Sequence, residues 1–168
     1  ADDVQRVLVI GDSFAAGHGV DSIDDTFPHI LDRDLGDGYT VNVMARPGWN
    51  TDHQLEGLAT YPLDPDVVVL SYYLNDIIHL NVDEYEERIK TIYPLLPEPL
   101  WTFVANFYLP NFLYWHIYRQ FATGGNTLYN DLILEPYADP DAWQQQEAYL
   151  QQFVDYADER DAQMVVLV

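Results

Sequence analysis

The strongest constraint on the fold is a run of four apolar residues, Val7-Leu8-Val9-Ile10, that stops abruptly at Gly11-Asp12-Ser13. A strand with one wet face alternates apolar and polar residues. One that is apolar at every position is buried on both faces, as the inner strands of a parallel sheet are. Val67-Val68-Val69-Leu70 repeats the pattern, and Met164-Val165-Val166-Leu167-Val168 repeats it again. Tyr39 to Met44 alternates like a further strand. Between these runs the period changes to that of a helix. Phe27, Ile30, Leu31 and Leu35 form one stripe, closed by Gly36 and Gly38. Thr51 with Gln54 three residues on resembles a capping box opening a short helix through Leu55 and Leu58. Val82, Tyr85, Ile89 and Ile92 make another stripe, stopped by Pro94. Asp139-Pro140 opens a last helix with Trp143, Leu150, Phe153, Val154 and Ala157 on one face. Strands alternating with helices predict an α/β fold, a three-layer α/β/α arrangement on a flavodoxin-like parallel sheet with right-handed crossovers.

The 168 residues read as a single domain with an aromatic-rich insertion at about 94–130. From Pro99 to Tyr118 there is no Asp, Glu, Lys or Arg, while Trp101, Phe103, Phe107, Tyr108, Phe112, Tyr114, Trp115 and Tyr118 crowd the stretch. Asn106, Pro110, Asn111, His116 and the nearby Arg119 interrupt it, which argues against a transmembrane helix and for broken helices. Such an insert is a satellite core, or a wall or lid beside an acyl group or a membrane-near surface.

The chain holds 28 Asp and Glu against 7 Lys and Arg, a net charge of -21. That balance disfavours nucleic acid and anionic membrane surfaces as partners. The acids are spread along the chain rather than gathered in a tail, so they form a solvated surface, suited either to high salt or to an ordinary acidic protein. With no cysteine, disulfides, zinc–thiolate sites and thiol nucleophiles are all excluded. Ala1 to Arg6 shows no signal peptide and leaves the compartment open. The oligomeric state is equally open.

In a flavodoxin-like sheet, ligands lie beyond the carboxyl ends of the strands at the switch in strand order, where strands one and three are neighbours. Three loops arrive there: Gly11-Asp12-Ser13-Phe14, Pro47-Gly48-Trp49-Asn50 and Leu74-Asn75-Asp76. Acyl transfer needs what they offer. A serine hydroxyl is a nucleophile once a base takes its proton. The oxyanion it creates needs fixed donors, such as backbone N–H groups and an amide side chain. Ser13 stands just past a strand, Gly48 lets the backbone approach the reacting carbon, and Asn75 supplies an amide. Asp12 bonds backbone amides and holds its turn.

These three blocks resemble those of the SGNH, or GDSL-like, hydrolases. Gly11-Asp12-Ser13-Phe14 with Gly17 and Gly19 looks like the first block, Gly48 within Arg46-Pro47-Gly48-Trp49-Asn50-Thr51 like the second, and Asn75-Asp76 like the third. The resemblance spans residues 7–80. It implies Ser13 as nucleophile and backbone oxyanion donor, with Gly48 and Asn75 completing the oxyanion site. It implies no metal and no organic cofactor. The substrate would be a small-molecule, glycan or lipid ester: an acetylated carbohydrate or a short to medium acyl ester. Tyr73 departs from the family, which has a glycine two residues before the asparagine. The family's Asp-x-x-His, carrying base and orienting acid, follows a later strand and is expected beyond residue 168, so the C-terminal portion of the domain reads as missing. Asp76-Ile77-Ile78-His79 matches that string but overlaps the third block and is read as coincidence. His18, His29, His53, His79 and His116 are read as surface or packing residues, with His53 and His79 closest to the expected pocket. Gly17-His18-Gly19 has Ser22 where a dinucleotide fingerprint has its third glycine, and no P-loop lysine follows Gly11. Two other functions stay open on the same residues: acyl transfer to a sugar alcohol, and a binding domain that keeps the pocket but lacks the base.

Overall fold

The computed structural model describes residues 4–78, 96–121 and 133–168. Four strands, β1 (Gln5–Gly11), β2 (Tyr39–Ala45), β3 (Val67–Ser71) and β4 (Gln163–Leu167), form a sheet in the order β2-β1-β3-β4. Every pairing is parallel. This is the flavodoxin-like order expected, with β1 beside β3 at its centre.

The helices of the sheet unit are α1 (Phe27–Leu35), α2 (Thr51–Ala59) and, after α3 (Glu98–Asn106) and α4 (Tyr108–Phe121), the long α5 (Pro140–Asp158). Successive residues of β1 point to opposite faces, and both faces are covered. Leu8 and Ile10 join Val68, Leu70, Leu58 of α2 and Phe153 of α5 in one buried cluster. Val7 and Val9 join Val69 and Ala15 in the other, against which Phe27 and Leu31 of α1 pack. The unbroken apolar run of β1 is therefore the trace of a three-layer α/β/α arrangement.

By its contacts the chain divides into two compact units, residues 1–79 with 136–168, and residues 80–135. The insertion marked in sequence at about 94–130 falls inside the second, where Trp101 of α3 meets Tyr114 of α4 edge to face at 5.9 Å. The helix expected from Val82 to Ile92 lies outside the described residues. Among the described residues no helix is long and apolar enough to cross a membrane.

Two expectations are corrected. Thr51 and Gln54 form no capping box: Asn50 holds the N-cap position of α2 without a side-chain cap bond, and both Thr51 and Gln54 bond to another segment of the chain. The buried face of α5 is Gln146, Phe153 and Ala157, with Leu150 beside them, whereas Trp143 and Val154 are exposed. Trp143 instead sends its indole N–H to Glu147 at 2.9 Å and lies against the Tyr137 ring. The last apolar run forms β4, which pairs with β3 in register from Val67 with Gln163 to Ser71 with Leu167.

Candidate active site

Strand register brings the three loops to one end of the sheet. Gly11, the last residue of β1, pairs with Ala45 of β2 on one side and with Ser71 of β3 on the other. Ser13, Gly48 and Asn75 follow these three residues within a few positions. The close approach is tight at its centre. A Cβ on Gly11 would lie 2.9 Å from both the Ala15 and Ser71 Cβ atoms. The first and third loops also touch: the Phe14 and Tyr73 rings lie 4.5 Å apart, centroid to centroid.

The first loop is folded by Asp12. Its buried carboxylate accepts the Phe14 N–H at 2.9 Å, and the Ser13 hydroxyl donates to its other oxygen at 3.4 Å, a long and weak bond. The Ala16 N–H returns to the Asp12 carbonyl at 3.0 Å and the His18 N–H to the Ser13 carbonyl at 2.8 Å, so the chain coils directly after Ser13. Ser13 itself is half-buried.

The second loop turns at Gly48, whose φ of 82° lies in the left-handed region that L side chains avoid. Nothing lies within 4 Å of the position a Cβ would take there, so glycine is required by the backbone and leaves open space beside it. The third loop is a single 3-10 turn, Leu74–Ile77. Tyr73, standing where the family has glycine, has φ -124° and ψ 158°, extended backbone that any residue adopts. Asn75 is half-buried, and its Oδ1 is enclosed with no hydrogen-bond partner among the described residues. Rotation of the amide by half a turn would present Nδ2 at the same place, since the two ends are told apart only by their partners.

This third turn is held by an unusual number of side chains. The Leu74 carbonyl accepts the Tyr137 hydroxyl at 3.1 Å, and that hydroxyl also pairs with the one on Tyr72 at 2.8 Å. The Asp76 carbonyl accepts the Thr51 hydroxyl at 3.0 Å, and the Gln146 amide donates to the same hydroxyl at 2.8 Å. The Ile78 carbonyl accepts the Asn50 amide. The Asp76 carboxylate, fully buried, accepts the Tyr73 N–H at 2.9 Å and the Gln54 amide at 3.2 Å. Burial raises that carboxyl to about 7; the Tyr73 N–H lowers it, the Asp12 charge raises it and the Gln54 amide lowers it. Sequence reasoning missed Thr51, Gln54 and Gln146 as parts of the site and named Asp76 in the third block without a role. Polar residues at otherwise buried helix positions were the only signal.

Three of the described histidines, His29, His53 and His116, have partners of their own. His29 Nδ1 lies 2.8 Å from the Thr26 hydroxyl, His116 stacks on Phe112, and His18 is exposed. His53 is exposed, with Nδ1 against the Asn50 amide oxygen and 3.3 Å from Asp52. His79 lies outside the described residues. Among those described, no three His, Asp or Glu side chains gather as a metal ion would require.

The family model described as GDSL-like Lipase/Acylhydrolase matches residues 9–167, nearly the whole chain. The chain belongs to that family. Among solved structures, this GDSL-like family member is similar to AlinE4, an SGNH-hydrolase family esterase, with 22% identity and a TM-score of 0.39 over 55% of this chain and 51% of that one. It is also similar to a carbohydrate acetylesterase family member from Sinorhizobium meliloti, with 24% identity and a TM-score of 0.36 over 52% and 53% of the two chains. The GDSL-like chain thus spans about half the length of these structures. No curated protein sequence matches it.

Proposed function

We propose that this GDSL-like chain carries the nucleophile and oxyanion half of a serine esterase. Ser13 Oγ attacks the ester carbonyl while its proton passes to a base. The carbonyl oxygen gathers negative charge among the Ser13 and Gly48 N–H groups and the Asn75 amide. The alcohol then leaves with a proton, and water releases the acyl group from Ser13 by the same steps in reverse order. The base and its orienting acid are those of the family's Asp-x-x-His, following a later strand. The substrates to assay are acetylated carbohydrates and short to medium acyl esters.

The observation that carries the reading is the register of Gly11 with Ala45 and Ser71, which delivers three donor-bearing loops to one sheet end. Asn75 is half-buried in the third of these loops, and because its Oδ1 has no partner among the described residues, the amide can turn over to offer Nδ2 as the donor. The test is Ser13→Ala in the intact protein, with p-nitrophenyl acetate as substrate. Hydrolysis should fall by roughly a thousandfold or more with the circular dichroism unchanged, as loss of a triad serine does. Activity surviving above a few per cent would move the nucleophile elsewhere. Acyl transfer to an added sugar, exceeding hydrolysis, would redirect the reading to an acyltransferase on the same serine.

A further inference from the structure

Gln54 and Asp76 take no part in the chemistry above, yet both are fully buried. Gln54 sits in the first turn of α2 and spends its amide on Asp76 Oδ1, while its own Oε1 is enclosed with no partner among the described residues. An empty buried acceptor is unfavourable, and an apolar side chain of similar size would remove it. What glutamine supplies in exchange is a donor aimed at one carboxylate. That carboxylate reaches back three residues to the Tyr73 N–H, closing the turn from the inside. Asn75 lies inside that closed turn, sharing a peptide bond with Asp76.

We propose that Asp76 and Gln54 are positioning residues for Asn75: Gln54 anchors the Asp76 carboxylate, which fixes the backbone of the turn and so the direction of the Asn75 amide. The inference rests on the reading of Asn75 as an oxyanion donor. Such donors act by being in place before charge develops, so small rotations of their backbone matter. Two acceptor oxygens meet two donors here, one from the turn and one from α2. Alanine at position 76 would strand both donors. Asparagine would not: its oxygen would accept the Tyr73 N–H and its amide would donate to the empty Gln54 Oε1, after that amide turned over.

The experiment is steady-state hydrolysis of p-nitrophenyl acetate by the intact protein, with folding of each variant checked by near-ultraviolet circular dichroism. Gln54→Met should lower kcat by roughly tenfold with KM unchanged, as misplacement of a donor does. Asp76→Asn should recover most of the kcat lost in Asp76→Ala. Adding Gln54→Met to Asn75→Ala should cost nothing further, because the group being positioned is already gone. Multiplied losses in that double variant, with Asn75→Ala itself impaired, would overturn this inference while leaving the oxyanion reading intact. An Asn75→Ala enzyme with full kcat would overturn the oxyanion reading and this inference with it. If Asp76→Ala does not fold, the cycle of Gln54→Met with Asn75→Ala decides alone.

Discussion

Asp76 is a carboxylic acid in a place water does not reach, and its proton couples to the stability of the whole fold. Burial lifts it from 3.8 to about 7, so across that interval the native state binds more protons than the unfolded chain does. Stability therefore falls as pH rises from about 4 to about 7 and levels off above, the reverse of a salt-bridged carboxylate. A shift of this size corresponds to at most about 4 kcal/mol. The groups facing Asp76 are Asp12 and the phenols of Tyr72 and Tyr137, whose own pKa burial pushes up so that they stay neutral. Gln54 suits both protonation states, offering its amide to the carboxylate or its empty Oε1 to the acid. Thermal melts of Asp76→Asn beside the parent should show the variant's advantage growing from pH 4 to pH 7. A difference in melting temperature constant over that range would mean that Asp76 does not titrate there.

At the scale of elements, the sheet was legible because inner strands of a parallel sheet leave no room for a polar residue, as Val7–Ile10 and Val67–Leu70 show. The three loops were legible for the same reason: parallel strands all deliver their carboxyl ends to one side. Helix faces were harder. In α5 the buried line runs through Gln146, a polar residue whose amide finds Thr51 across the core, so an apolar count chose Trp143 and Val154 instead. At the start of α2, Thr51 and Gln54 have the spacing of a local cap, and spacing alone does not reveal a partner more than twenty residues away. The misread polar pair is bonded instead to Asp76, next to Asn75 in the third loop. The α5 element carries a sharper prediction in Phe153, fully buried among Leu8, Ile10, Leu58, Val68 and Leu70. Phe153→Ala should destabilise the protein by about 3–5 kcal/mol through lost burial and the cavity left behind. Urea denaturation measures this directly, and a loss under about 1 kcal/mol would mean that α5 does not seal this face of the sheet.

Over the whole molecule, the net charge of -21 outweighs any single ion pair. Seven basic side chains cannot neutralise 28 acids, and among the described residues those in ion pairs sit at the surface, as Arg160 with Asp64 at 3.5 Å and Arg33 with Asp34 at 3.7 Å do. Exposed pairs of this kind contribute little, so the net effect of the surface is self-repulsion in the compact state. Repulsion between solvated charges is cut by salt, because the screening length falls from about 10 Å at 0.1 M to about 3 Å at 1 M. The melting temperature should therefore climb as sodium chloride is raised from 0.05 M to 2 M at pH 7. Sulfate is the wrong salt for this test, since it stabilises most proteins by exclusion from their surface. The discriminating control is pH. Repeating the titration near pH 4, where much of the carboxylate charge is neutralised, should flatten the salt response if charge is its origin. An equal climb at both pH values would assign the effect to burial of apolar surface instead. No climb at pH 7 would mean that the acids lie too far apart to repel, and that the acidity is surface composition without a stability role.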